Sequence, residues 1–187
     1  MAHIAVLGLG NWGSAIARLW LLEGHKVKGW TIEQEVYESI TMDGMNNKYL
    51  PDHSLEGLEA TMHVEEALDG SEIIVLAIPS SVILNVVEDI IPHLRPGHVL
   101  LDLAKGLAPG KRLISEAIHQ MLTDNDMHNP LAVLTGPTIA PEAAGGVMTT
   151  ALVASEDVSV AENLASTLTT PTFILHAASD PAGAELW

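Results

Sequence analysis

No cysteine occurs in this sequence. Its absence removes disulfides, thiolate metal sites and cysteine nucleophiles together, and points weakly to a reducing compartment. Basic residues are scarce as well: 8 Lys and Arg stand against 24 Asp and Glu, for a formal net charge of −16. Phosphate backbones and anionic lipid surfaces repel such a chain, so neither nucleic acid nor a membrane is an expected partner. No apolar run approaches the ~18 residues needed to span a bilayer, and no basic segment leads an apolar one at the N-terminus, so a soluble, cytoplasmic protein is expected. The 9 histidines form no HxxxH or HxH pair and have no thiolates to join them, which argues against a metal site. Neither a GxSxG elbow nor a P-loop is present, which argues against an α/β hydrolase and against phosphoryl transfer.

What the sequence does contain is enough apolar material for one core. Its 187 residues are 48% apolar and 17% charged, which suits a single domain and is too apolar for a disordered chain. Short β-branched and aliphatic runs at 3–7, 26–30, 72–78, 98–103, 131–135, 149–154 and 172–175 alternate with helical patterns at 12–23, 81–91, 111–122, 140–144 and 158–168. A weaker strand at 60–63 and a less regular helix at 33–40 complete the pattern. Such alternation predicts an α/β fold, a doubly wound and mostly parallel sheet of the Rossmann type, as one domain over residues 1–187. Residues 42–58, rich in Asn, Asp, Gly and Pro, read as a surface excursion able to cover a ligand. Residues 179–187 resemble the opening of a further helix, so more chain is expected to follow them.

Gly8-Leu9-Gly10-Asn11-Trp12-Gly13 fits GxGxxG directly after the first strand and at the opening of the first helix, the context in which that motif holds a dinucleotide. Gly8 turns the chain, Gly10 admits a pyrophosphate, and Gly13 lets helix and strand pack closely. The helix N-terminus then offers unpaired amides and a positive dipole end to phosphates that an acidic chain otherwise repels. Trp12, Ile16 and Trp20 recur at helical spacing, and for Ile16 and Trp20 that stripe reads as a face packed on the sheet. The segment after the second strand, Trp30-Thr31-Ile32-Glu33-Gln34-Glu35, has two acids and no cation, so NAD is favoured over NADP. Glu33 is a candidate ribose ligand, although a carboxylate in a first helical turn also needs no ligand to explain it.

In a doubly wound sheet the substrate crevice lies beyond the carboxyl ends of the strands. Three junctions there carry polar groups: Pro79-Ser80-Ser81, Ala104-Lys105-Gly106 and Gly136-Pro137-Thr138-Ile139-Ala140. Lys105 leaves a buried strand beside a glycine, where it could hold a substrate phosphate or polarise a carbonyl. Gly136 offers a close-approach amide, while Ser80 and Thr138 read equally as helix caps or as crevice hydroxyls.

Taken together, these residues resemble NAD(P)-dependent glycerol-3-phosphate dehydrogenase over positions 4–186. The landmarks are the glycine motif, Trp30, Asn47-Lys48-Tyr49-Leu50-Pro51, Ile78-Pro79-Ser80, Ala104-Lys105-Gly106-Leu107, Gly136 to Ala140 with Glu142, and Asp180 with Gly183, Glu185 and Leu186. The resemblance implies hydride transfer between dihydroxyacetone phosphate and sn-glycerol 3-phosphate, a small phosphorylated substrate, and leaves a homodimer open. It implies cofactor contacts at Asn11, Trp12, Ile32, Lys105 and Ala140, and substrate contacts at Lys105, Gly136 and Thr138. Its general acid/base lysine and its helical second domain belong after Leu186, where this chain has Trp187 and stops. No catalytic residue is therefore assigned here, and little or no turnover is expected. The rival reading is a standalone, non-catalytic dinucleotide-binding or regulatory module, which measurable turnover would exclude.

Overall fold

The run Ile73–Leu76 is buried at every position, the mark of a strand covered on both faces. Ile73 and Val75 enter one core, Ile74 and Leu76 another. The structure is a computed structural model that describes residues 1–186. Trp187, where the resemblance loses a glycine, lies outside the described residues.

In chain order the elements are β1 (His3–Leu7), α1 (Asn11–Leu22), β2 (Lys26–Trp30), α2 (Gln34–Asp43), β3 (Met45–Asn46), β4 (Leu50–Ser54), β5 (Glu59–Thr61), α3 (Val64–Leu68) and β6 (Ile73–Leu76). There follow α4 (Ile83–Ile90), β7 (Val99–Asp102), α5 (Ile114–Asp124), β8 (Leu131–Thr135), α6 (Ala140–Ala144), β9 (Thr149–Ala154), α7 (Val158–Leu168), β10 (Phe173–Ala178) and α8 (Pro181–Glu185). Eight strands pair in the order β10-β9-β8-β7-β6-β1-β2-β5, parallel except between β8 and β9. The expected doubly wound α/β sheet is thus present, with its order reversing between β1 and β6.

Helices cover both faces of this sheet. Ile16 and Trp20 of α1, Val36 of α2, Ala143 of α6 and Leu164 of α7 share one core, while Leu68 of α3, Ile83 of α4 and Ile118 of α5 share the other. Trp20 is fully buried and its Nε1 donates to Leu168 O at 3.1 Å, so the packed-face reading of the α1 stripe holds. The β9–β10 extension is covered less evenly: Ala151, Val153, Phe173 and Leu175 are buried, whereas Leu152 and His176 point to solvent.

Several expected boundaries move for identifiable reasons. The excursion at 42–58 is not irregular throughout: it holds the antiparallel pair β3 and β4, too short and too polar to show a period. Helix α3 is a five-residue turn, below the length at which periodicity is visible. Helix α5 starts at Ile114 because Gly110 and Lys111 both take left-handed backbone, φ 79° and 61°, which no helix can include. No helix among the described residues is long and apolar enough to cross a membrane.

Candidate functional site

The carboxyl ends of β1 and β6 part around a cleft of about 560 Å³. Backbone chemistry shapes its floor. Gly8 has φ +98°, and a Cβ there would lie 2.5 Å from Ala77 O at the end of β6, so only glycine fits. A Cβ on Gly13 would lie 1.8 Å from Gly8 O, because α1 sits directly on the turn. Gly10 is different: nothing lies within 4 Å of its missing side chain, and it opens on the cleft. Helix α1 has no side-chain cap, and its first amide to bond back is Ser14 N, to Gly10 O at 2.9 Å. The amides of Asn11, Trp12 and Gly13 therefore have no intrahelical acceptor and carry the positive end of the helix dipole. This is the attraction that a chain of net charge −16 needs to hold phosphate.

The hairpin fixes that turn from behind. Asn46 is buried, and its Nδ2 donates to Leu9 O and Ser14 Oγ, each at 2.8 Å, while its Oδ1 accepts from Tyr49 N at 3.1 Å. One side chain thus ties the glycine turn to the hairpin and sets Tyr49 in the cleft wall. At the same end of the cleft, Ile32 is 74% exposed and Glu33 turns its carboxylate toward the hairpin. Glu33 Oε1 accepts from Tyr49 Oη at 2.9 Å and its Oε2 accepts from Lys48 Nζ at 2.5 Å. Lys48 also pairs with Glu35 and lies 5.3 Å from the centre of the Tyr49 ring. The Lys48 ammonium and then the Tyr49 hydroxyl hold Glu33 below the usual carboxylate range. The Glu33 carboxylate in turn raises both Lys48 and Tyr49 above their ordinary values. Glu33 stands at the N-cap of α2 without a side-chain capping bond, its carboxylate taken up by Lys48 and Tyr49 instead.

Lys105, Thr138 and Ala140 wall the opposite part of the same cleft, past the ends of β7 and β8. Lys105 is exposed and has no ion-pair partner among the described residues. The capping explanation fails for both hydroxyls: α4 and α6 begin at N-caps Val82 and Ile139, neither with a side-chain cap bond. Thr138 faces the cleft, and Ser80 packs toward Gly106. Gly136 does not wall the cleft; a Cβ on it would come within 3.0 Å of Ala151 and of Thr150 O, so its bareness makes room for β9. Gly8, Gly10, Asn11, Trp12, Gly13, Ile32, Lys105, Thr138 and Ala140 are brought together as the sequence leads one to expect.

A family model described as the N-terminus of NAD-dependent glycerol-3-phosphate dehydrogenase matches residues 3–161. The chain belongs to this family. The glycerol-3-phosphate dehydrogenase [NAD(P)+] of Halothermothrix orenii is 34% identical over 98% of this chain and 53% of its own length. That of an Exiguobacterium species is 36% identical over 99% of this chain and 54% of its own. The crystal structure of glycerol-3-phosphate dehydrogenase from Coxiella burnetii superposes with a TM-score of 0.90 at 30% identity, covering 99% of this chain and 56% of that one. The chain therefore spans about half the length of these glycerol-3-phosphate dehydrogenases.

Three side chains at or near the site escape a reading along the sequence. Lys48 is 15 positions from the Glu33 it pairs with, so a search for a cation just after β2 finds none. Asn46 declares itself only through two hydrogen bonds that cross the fold, to Leu9 O and Ser14 Oγ, and one within the hairpin, from Tyr49 N. Asp102 ends β7 with 2% of its surface exposed; its Oδ1 accepts from Ala104 N at 2.8 Å and its Oδ2 has no partner. Burial pushes this carboxyl up to about 7 against the pull of the Ala104 amide, and the nearby Glu185 carboxylate adds to the rise. A lone acid inside the apolar run 98–103 was the signal for it.

Proposed function

We propose that this chain is the NAD-binding part of a glycerol-3-phosphate dehydrogenase, acting between sn-glycerol 3-phosphate and dihydroxyacetone phosphate. The observation that carries the reading is the set of three unpaired amides at Asn11, Trp12 and Gly13, opening across Gly10 on the cleft that Lys105 also faces. Gly8 and Gly13 fit the cofactor's pyrophosphate because any Cβ would close the turn on itself. Thr31, Ile32, Glu33 and Tyr49 would flank the adenosine, and Trp12, Lys105 and Ala140 the nicotinamide end. When bound, NAD supplies the hydride acceptor. Lys105, with no ion-pair partner among the described residues, offers its ammonium to the substrate phosphate or to the carbonyl oxygen as charge develops there, and Thr138 faces the same cleft, whereas Gly136 is set back from it against β9.

NAD is favoured over NADP because the segment after β2 carries Glu33 and Glu35 and no cation of its own. The resemblance assigns proton transfer to a lysine outside these 187 residues, and such assistance is worth ~10²- to 10⁴-fold, so NAD binding by the 187 residues is tested separately from turnover. Calorimetric titration with NAD, run beside an assay of glycerol 3-phosphate oxidation on the same sample, tests both halves. Binding without turnover is the expected result, and absence of binding overturns the proposal.

A further inference from the structure

We infer that Lys48, carried on the β3–β4 hairpin and held between Glu33 and Glu35, is the residue through which this cleft tells NAD from NADP. The inference rests on the cofactor reading above and adds to it a specificity determinant from outside the segment after β2.

Glu33 lies where an acid bonds the adenosine ribose in a dinucleotide fold. Its carboxylate is nevertheless not a lone negative charge, because Lys48 Nζ sits 2.5 Å from it and also pairs with Glu35. Two carboxylates and one ammonium leave one net negative charge beside the ribose 2′ position. A hydroxyl at that position meets an oriented acceptor, since Tyr49 and Lys48 fix both Glu33 oxygens. A 2′-phosphate meets excess negative charge, while the one cation able to greet it is already engaged. The carboxylates thus mask a phosphate-binding lysine that is otherwise in place, with its side chain 41% exposed.

Affinities for NAD+ and NADP+, measured by calorimetry on the 187-residue chain and its variants, decide the matter. The double substitution Glu33→Gln with Glu35→Gln should tighten NADP+ binding by about tenfold or more and steepen its salt dependence, while NAD+ weakens a few-fold. Adding Lys48→Met to that pair should abolish the gain. Lys48→Met alone should weaken NADP+ several-fold and NAD+ by less, since Tyr49 still holds one oxygen of Glu33. All three side chains lie at the surface, so melting curves should stay close to the parent's. A gain for NADP+ that survives in the triple variant overturns the role of Lys48, and so does an unchanged NAD+ to NADP+ ratio in all the variants. A parent chain that binds neither nucleotide brings down the cofactor reading itself, a result distinct from normal NAD+ binding with unmoved selectivity.

Discussion

The cleft between β1 and β6 measures about 560 Å³, and the hollow over β8, between α5, α8 and the start of α7, about 500 Å³. Volume does not separate them. The first is walled by bare glycine backbone, three unpaired helix amides and an unpaired lysine. The second is walled by Glu116, Glu156 and Asp157 with His119 and His128. Phosphate is drawn to the glycine turn of the first, although Glu33 lines its far end, and is repelled by the carboxylates of the second. The same contrast appears in what holds each region together. The glycine turn of the cleft is shaped by close backbone approach and held from behind by Asn46, whereas the second region is fastened chiefly by Glu185 of α8 reaching the first amides of α5.

If backbone approach makes the cleft, Gly13→Ala should do the most damage. The new Cβ would lie 1.8 Å from Gly8 O, backbone against backbone, so α1 must leave the turn. Loss of NAD binding by more than about a hundredfold and destabilisation of about 3 kcal/mol are expected, read by calorimetry and urea unfolding. Gly10→Ala sharpens the test, because its Cβ meets nothing within 4 Å. It should melt like the parent and still bind NAD less tightly, since the methyl enters the space for the pyrophosphate. Equal effects of the two alanines on stability would contradict this account of the turn.

Asp102 gives a stability effect of comparable size and opposite sign, at the end of β7 and under the influence of Glu185. Burial keeps its carboxyl protonated up to about 7, whereas in the unfolded chain it ionises near its ordinary value of 3.8. The folded state therefore holds an extra proton between those values. The stability linked to it is complete below about pH 4 and is lost as pH rises through 7. Asp102→Asn keeps an acceptor for the Ala104 amide and cannot ionise. It should flatten the stability profile between pH 4 and 7 and stabilise the protein at pH 8 by about 4 kcal/mol at most. Denaturant titrations at three pH values would show parallel profiles if this carboxyl were not the group responsible.

Lys105→Ala should lower affinity for glycerol 3-phosphate, measured with NAD present, by about tenfold or more, as loss of a charge-assisted contact implies. NAD affinity should change by less than about threefold. Comparable losses for both ligands would refute the substrate-side role of this lysine.

The cleft was legible in the sequence to the degree that it depends on backbone. Gly8 and Gly13 are demanded by local geometry, and Ile73 to Leu76 announce a strand buried on both faces, so motif and period together placed the turn on the right edge of the sheet. The side-chain ties were not legible. Asn46 to Leu9, Lys48 to Glu33 and Glu185 to Ser115 join positions 37, 15 and 70 apart, and no short-range pattern encodes such pairs. The reading of NAD preference from the segment after β2 illustrates the cost, because it saw two acids and missed the cation that the hairpin sets between them.

The smallest effect belongs to the second region, and it tests whether the two regions are independent. Glu185 accepts from Ile114 N at 2.5 Å and from Ser115 N at 3.3 Å, satisfying amides that open α5, whose own N-cap residue Leu113 offers no side-chain bond. Removing that acceptor exposes a helix start to loss of a cap, worth about 1 kcal/mol. Glu185→Ala should therefore destabilise the domain by about that amount and loosen α8, seen as faster amide exchange over Pro181–Glu185. NAD binding should stay within about twofold of the parent, since neither Glu185 nor the amides of Ile114 and Ser115 that it holds line the cleft. A larger loss of NAD affinity would mean that α5 and its cap help to hold the end of β7 and Lys105 in place, and that the two hollows are parts of one mechanical unit.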